Sequence, residues 1–278
     1  KREVDKLMSA GVMVKLPRDE YGRYVLPDNY IKMRLIDLHE YKWKPDPVTG
    51  EECWLECTRI VCDGSCDTRE GEFTYAECPD RTILHVMTSR DSVERAWVYQ
   101  ADIERAYLQA TSIDRNLVVI TSTIPAFGEA LMLLDKGLYG AKKSALGFQY
   151  WTEDKLMKMH YVKMHIAKSI YVKRVQGAVI RIYRHSDDFR ISCTNLEILH
   201  AEMVALALEF NFGEKGFTVL TRFLGCEYER IDLQGNPCLN GQITLVRCTE
   251  KIDSMAKQYA DLRDMFKISN THQYTQLP

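Results

Sequence analysis

No run of apolar residues approaches the roughly 18 needed to cross a bilayer, and the opening KREVDKLMSAGVMV holds charges where a secretion signal would be apolar. Neither sign of charge dominates. Lys and Arg total 37 against 39 Asp and Glu, a formal net charge of -2. The basic excess that marks many nucleic-acid-binding domains is missing, so such a partner would have to meet a local basic groove on a neutral body. The nine cysteines include no Cys-X-X-Cys pair. Cys53, Cys57, Cys62 and Cys66 cluster, but structural zinc sites use tighter pairs. Zinc ligands and ordinary strand or turn thiols both remain open readings. An odd cysteine count without a secretion signal points to reduced thiols in an intracellular protein, cytoplasmic or nuclear. Internal repeats and low-complexity stretches are absent, and a start at Lys1 suggests a piece of something longer.

What is present is an ordinary globular composition over 278 residues, 46% hydrophobic and 27% charged. That length can bury a sizeable core in one large domain or two modest ones. Val4, Leu7, Met8, Val12 and Val14 predict a helix over residues 1 to about 16, with Gly11 near its end. YIKMRLI (30–36) and CWLECTRIVC (53–62) predict two strands of a long hairpin, joined through KPDPVTGEE and stopped at Asp63-Gly64. A helix-like stretch lies within 80–98, a buried strand over 96–102, a short helix within 103–110 and a strand over 116–123. A long helix follows over 144–167. Strands at 169–174, 178–183 and 189–193 surround Ser186-Asp187-Asp188, the middle and last forming a hairpin. A helix over 197–209, a strand pair at 222–230 and 242–247, and a last helix over 249–265 complete the reading. The fold class is α+β, with antiparallel hairpins and no regular βαβ alternation.

Asp102 closes an otherwise apolar strand, and Asp187-Asp188 occupies a hairpin tip some 85 residues later. Two-metal phosphoryl transfer needs carboxylates from separate strands that hold two divalent ions about 3.5–4 Å apart. Hard carboxylate oxygens suit Mg²⁺. Against this, Asp-Asp is common in turns, and an Asp at a strand end can cap a helix.

Around these acids the segments fall into a pattern. QADIERAYLQA (100–110), KGLYGAKKSALGFQYW (136–151), HSDDF (185–189) and FLGCEYER (223–230) resemble, in order, the motifs of copia-type retrotransposon reverse transcriptases. TGEECWLECTRIVCDGS (49–65) resembles the fingers hairpin of that family, and GEFTYAECPDRT (71–82) the stretch that follows it. The resemblance implies a right-hand polymerase fold. Fingers would span 1–95 with part of 108–145, a palm of antiparallel sheet flanked by helices would span 96–230, and the thumb or connection would begin at 231. A ribonuclease H domain is not expected in this chain.

By the same resemblance, Asp102 and Asp187, with Ile103 beside them, would bind Mg²⁺ or Mn²⁺, and Asp188 would support the site. Tyr107 stands at the position of the steric gate that rejects a ribose 2′-hydroxyl; otherwise it is a core aromatic on a helix face. Arg59 matches the fingers arginine that holds the triphosphate of an incoming dNTP, a task suited to its bidentate fork; otherwise it is an exposed strand residue. Leu138, Tyr139, Gly140 and Lys143 match the loop under template and nucleotide. Phe223, Leu224 and Gly225 match the primer grip. The implied partners are an RNA or DNA template-primer, dNTPs and the rest of a Gag-Pol-type polyprotein or larger assembly, with no membrane.

The motifs depart from the family at several places. Lys143 stands where an amide is usual, Glu56 or Cys57 where a Lys is usual, and His185-Ser186 where Tyr-Val precedes the acidic pair. Arg181, Arg184 and Arg190 flank that pair on strands that are normally apolar. They must face solvent, pair with acids or contact nucleic acid, because an unpaired buried charge is too costly to keep. A catalytically impaired relative serving as a nucleic-acid-binding or structural subunit is the alternative to an active polymerase.

Overall fold

The computed structural model describes residues 2–46, 48–69, 76–127, 131–165 and 167–248. The helix expected over 249–265 lies outside them, as does the 71–75 part of the GEFTYAECPDRT segment. In chain order the elements are α1 (Arg2–Ser9), β1 (Met13–Lys15), β2 (Ile31–Pro45), β3 (Glu52–Cys62), α2 (Arg81–Val93), β4 (Trp97–Asp102) and α3 (Ala106–Gln109). Then come β5 (Leu117–Ile120), β6 (Leu131–Leu134), α4 (Ser144–Lys158), β7 (Val162–Lys163), β8 (Ile170–Val175), β9 (Ala178–His185) and β10 (Asp188–Cys193). The last are α5 (Leu196–Glu209), β11 (Thr218–Val219), β12 (Arg222–Phe223), β13 (Cys226–Ile231) and β14 (Ile243–Arg247). Mixed sheet and helix with antiparallel hairpins is what the sequence predicts. No described helix is long and apolar enough to cross a membrane.

The chain divides into two compact units. The first holds residues 1–79, 103–171 and 184–187. Its sheet has the order β1-β6-β5-β2-β3, with β2 and β5 parallel. Val4 and Leu7 of α1 join Met33, Leu35, Ile60, Val119, Met132 and Leu134 in one apolar cluster. β2 and β3 pair from Leu35 opposite Cys62 out to Pro45 opposite Glu52, so the hairpin is longer than the expected 30–36 strand. The expected 16-residue first helix is also corrected. α1 ends at Ser9, Gly11 takes a φ of +63°, and Met13–Lys15 pairs with β6 instead. A glycine in the left-handed region is a common helix stop, and Val12 and Met13 beyond it are buried in the core of this unit.

Of the described residues, the second unit holds 80–102, 172–183 and 188–248. Within it β4 pairs antiparallel with both β10 and β11. A separate three-stranded sheet has the order β12-β13-β14. The strand expected over 222–230 is broken at Leu224 and Gly225, which take φ of 49° and 76°. Positive φ at both central residues is what a type I′ hairpin turn demands, so the chain reverses there.

β10 shows why its alternation matters. Successive side chains point to opposite faces. Phe189 meets Phe210 and Phe212, with ring centroids 5.6 and 5.7 Å away, beneath α5. Arg190 and Ser192 face the other way and reach Asp91 of α2.

The long helix expected over 144–167 ends at Lys158. His160 has a φ of +67°, and the Tyr161 N–H returns to the Leu156 carbonyl at 3.0 Å. This closes the helix in a Schellman-like cap and frees Val162 and Lys163 to form β7.

Candidate active site

In the second unit Asp102 and Asp188 are direct partners across the β4–β10 ladder. The two carboxylate-bearing residues are therefore as near as opposed strands bring any pair, about 4.5–5.5 Å between Cα atoms. Asp102 is exposed and Asp188 half-buried. Asp187 is the preceding residue, in the Ser186-Asp187 turn that joins β9 to β10. Ser186 takes a φ of +56°, and a positive φ at the first central position is the demand of a type II′ turn. Gly would meet that demand without strain; Ser does so only if the surroundings hold it.

Ser186 and Asp187 belong to the first unit, and residues of that same unit supply the hold. Ile103, 1% exposed, donates its N–H to the Asp187 carbonyl at 3.0 Å. Arg184, also 1% exposed, donates Nη1 to the Ser186 carbonyl at 3.0 Å and Nη2 to Ser169 Oγ at 3.3 Å. Its own N–H donates to the Ser169 carbonyl. Arg184 thus braces the acidic turn from beneath. Its Nε is buried and has no hydrogen-bond partner among the described residues. The cost of that unmet donor is the cost of the brace.

Arg181 and Arg190 are buried as well, which rules them out as an exposed basic track. Arg190 Nη2 lies 2.7 Å from Asp91 Oδ2, and both side chains are 1% exposed. Arg181 reaches Asp91 at 3.5 Å and Glu94 at 2.6 Å. Burial works to raise the Glu94 pKa, but its bonds to Arg90 and Arg181 outweigh burial and hold it below the usual range. The sequence does contain a signal for Asp91. Leu84, Met87, Thr88 and Asp91 fall at i, i+3, i+4 and i+7, and all four are buried, so the Asp rides the inward face of α2. Arg230 of β13 is a further buried arginine. It donates to the carbonyls of Asp91, Gly241, Leu239 and Ala96 and thereby pins the second sheet to α2.

The first unit also gathers several of the residues the motifs single out. The Arg59 guanidinium lies 4.8 Å from the Tyr139 ring centre, a cation–π distance. Tyr139 lies 4.8 Å from Tyr107, which meets Phe148 edge-on at 5.9 Å. Arg59 is exposed, while Tyr107 and Tyr139 are half-buried. One stack therefore runs from the exposed strand arginine to the buried face of α4.

The backbone beneath the stack is tight. The Cys62 N–H donates to the Tyr139 carbonyl at 2.7 Å. Gly140 has a φ of +85°, and a Cβ there would collide with the Cys62 carbonyl oxygen. A Cβ on Gly64 would lie 2.6 Å from the Gly140 carbonyl oxygen, and one on Gly137 would lie 2.7 Å from that of Tyr107. Ser144 Oγ closes the loop, accepting from the Leu138 N–H at 3.0 Å and donating to its carbonyl at 2.8 Å.

Lys143 Nζ is 3.4 Å from Asp114, which Arg69 grips with two nitrogens at 2.9 Å each. Burial pushes the Asp114 pKa up, but Arg69 and Lys143 outweigh it and hold the carboxyl low. Nothing local in the sequence marks Arg69 or Asp114, which are 45 residues apart. At the end of β3, hydrogen bonds from Ser65 and Arg34 hold Asp63 down at about 2. Cys62, next to it, is pushed up to about 12 by burial.

In the second unit Phe223 is 3% exposed and packs edge-on against Tyr183 at 5.9 Å. Leu224 and Gly225 form the turn that follows it.

A family model described as reverse transcriptase (RNA-dependent DNA polymerase) matches residues 56–240, about two thirds of the chain. The chain belongs to the reverse transcriptase family. No curated protein matches it significantly. The match to the reverse transcriptase model spans β4, β10, the Ser186-Asp187 and Leu224-Gly225 turns, Arg59 and the Tyr107–Tyr139 stack.

Reverse transcriptases generally use Mg²⁺. Within the second unit the ladder partners Asp102 and Asp188 offer hard oxygen donors, neither of them fully buried. That donor set fits a hard divalent cation. Among the described residues no three His, Cys, Asp or Glu side chains are gathered as a metal site.

Proposed function

We propose that this chain is a copia-type reverse transcriptase, an RNA- and DNA-templated DNA polymerase that transfers a deoxynucleotide to a primer 3′-hydroxyl. The observation that carries the reading is the direct opposition of Asp102 and Asp188 on β4 and β10, in a chain of this family. Asp102 and Asp187, with the backbone at Ile103, would hold Mg²⁺ or Mn²⁺, and Asp188 would support them. The bound ions would lower the pKa of the attacking hydroxyl and neutralise charge gathering on the triphosphate. Fingers over 1–95 with part of 108–145, a palm over 96–230 and a thumb or connection from 231 belong to the same proposal.

The chain's own residues have distinct tasks. Arg59, exposed and steadied on one side by Tyr139, would take triphosphate oxygens with its fork. Tyr107, wedged between Tyr139 and Phe148, would present its ring to the sugar and clash with a 2′-hydroxyl. Gly140 would let the loop pass close beneath the nucleotide. Phe223, Leu224 and Gly225 would position the primer backbone. Lys143 would reach the nucleotide only by leaving Asp114.

That last contact favours a second reading, a nucleic-acid-binding or structural subunit with impaired catalysis. Primer extension on RNA and DNA templates, with Mg²⁺ or Mn²⁺, separates the two. The polymerase reading expects template-dependent extension that Asp187→Asn abolishes. Intact template-primer binding without extension by the unmodified chain would establish the second.

A further inference from the structure

Cys226 opens β13, one residue after the Leu224-Gly225 turn, and Cys248 follows the last residue of β14. The β13–β14 ladder pairs Glu227 with Arg247, Tyr228 with Val246 and onward to Ile231 with Ile243. Continued by one step, that register sets Cys226 opposite Cys248. Opposed residues of an antiparallel pair lie about 4.5–5.5 Å apart at Cα, inside the roughly 4.4–6.8 Å window a disulfide requires. The side chains bear this out. The two Sγ atoms are 3.0 Å apart, closer than non-bonded sulfurs normally rest. Both cysteines are half-buried and are held against each other by the sheet.

Cys62 and Cys238 are placed differently. Cys62 is 2% exposed with its pKa pushed up to about 12, so it stays a protonated thiol. Cys238 turns its Sγ to the Asn240 side chain at 3.3 Å.

We propose that Cys226 and Cys248 form a reversible dithiol–disulfide site, oxidised by a low-molecular-weight disulfide of the glutathione class. One protein thiol loses its proton and attacks a sulfur of glutathione disulfide. That S–S bond breaks, and one glutathione leaves as a thiolate that takes up a proton. The second protein thiol, deprotonated in turn, attacks the mixed disulfide and expels the second glutathione. Two protein thiols are oxidised by two electrons and one glutathione disulfide becomes two thiols, so atoms, protons and electrons balance. The new bond closes a loop between residues 22 apart in sequence and fastens the end of β14 beside the β12–β13 turn. The site stands whether or not that turn grips a primer.

Thiol mapping of the full chain tests it. The protein, native or unfolded in urea, is equilibrated in glutathione buffers of stepped redox ratio. Free thiols are then alkylated and the digest is read by mass spectrometry. The expected product is a cross-linked peptide pair containing Cys226 and Cys248. Its equilibrium constant against glutathione should be at least tenfold larger for the native chain than for the unfolded one, and Cys248→Ser should remove the product. A native advantage below tenfold, or native Cys226 linking as readily to another cysteine, overturns the proposal. Neither outcome depends on polymerase activity.

Discussion

Asp91 shows how much one side chain decides. It is 1% exposed and is the shared counter-ion of Arg181 and Arg190. A buried ion pair adds little net stability over an apolar core, but removing one partner leaves the other charge buried and unpaired. Asp91→Asn is therefore expected to lower unfolding stability by about 3–5 kcal/mol, read as a drop in the urea midpoint with an unchanged slope. A loss no larger than that of an exposed control such as Glu214→Gln would contradict the cluster as drawn. Tyr107 is a residue of the other kind, whose effect should be on specificity. Tyr107→Val is expected to relax the preference for dNTPs over rNTPs by on the order of tenfold or more, since removing a clash acts on the difference between two substrates. Single-nucleotide incorporation kinetics measure it. An unchanged ratio in an active variant would return Tyr107 to a core aromatic.

Among the elements, the Ser186-Asp187 and Leu224-Gly225 turns and the 138–140 loop are places of local strain. Arg184 is the brace of the Ser186-Asp187 turn, and Arg184→Met keeps the bulk while removing both guanidinium bonds. The expected result is a folded protein with weakened extension and a raised Mg²⁺ requirement. An unaltered metal dependence would show that the turn holds itself. At the loop, Gly140→Ala meets both a forbidding φ of +85° and the Cys62 carbonyl oxygen. Positive φ alone costs about 1–3 kcal/mol, so the variant should unfold in less denaturant by more than that. A neutral result would mean that β3 and the loop can part. These elements also mark what the sequence left illegible. The Leu224-Gly225 turn hides inside an unbroken β-like run, because Leu in the left-handed region has no local signature. α1 ends at Ser9, five residues before Val14, the last residue of its apolar periodicity, because sheet pairing overrides propensity.

Over the whole molecule the carboxylates set the acid limit. The Asp63 pKa is about 2, below its ordinary 3.8, and Asp67, Glu77, Glu94 and Asp114 are lowered too. A depressed folded-state pKa gives stability that is fully present above the unfolded value and is lost as pH falls through the folded one. Stability should therefore hold down to about pH 4.5 and decline from there to about 2, as followed by circular dichroism or urea midpoints across pH. Asp63→Asn should flatten part of that decline; an unchanged acid profile would show that Asp63 is not coupled to folding. The sequence alone determined the order of strands and helices around Asp102 and Asp187-Asp188, and the ordered motifs that signal the family. Those are local: apolar alternation, turn residues and motif spacing can be read within a few dozen residues. Only the tertiary structure decided that Asp102 sits opposite Asp188, that Arg59, Tyr139 and Tyr107 stack, and that Arg181, Arg184 and Arg190 are buried. The physical reason is that strand register and counter-ion choice are made between segments far apart in the chain. Arg181 and Asp91 are 90 residues apart, and only packing brings such charges close enough to survive out of water.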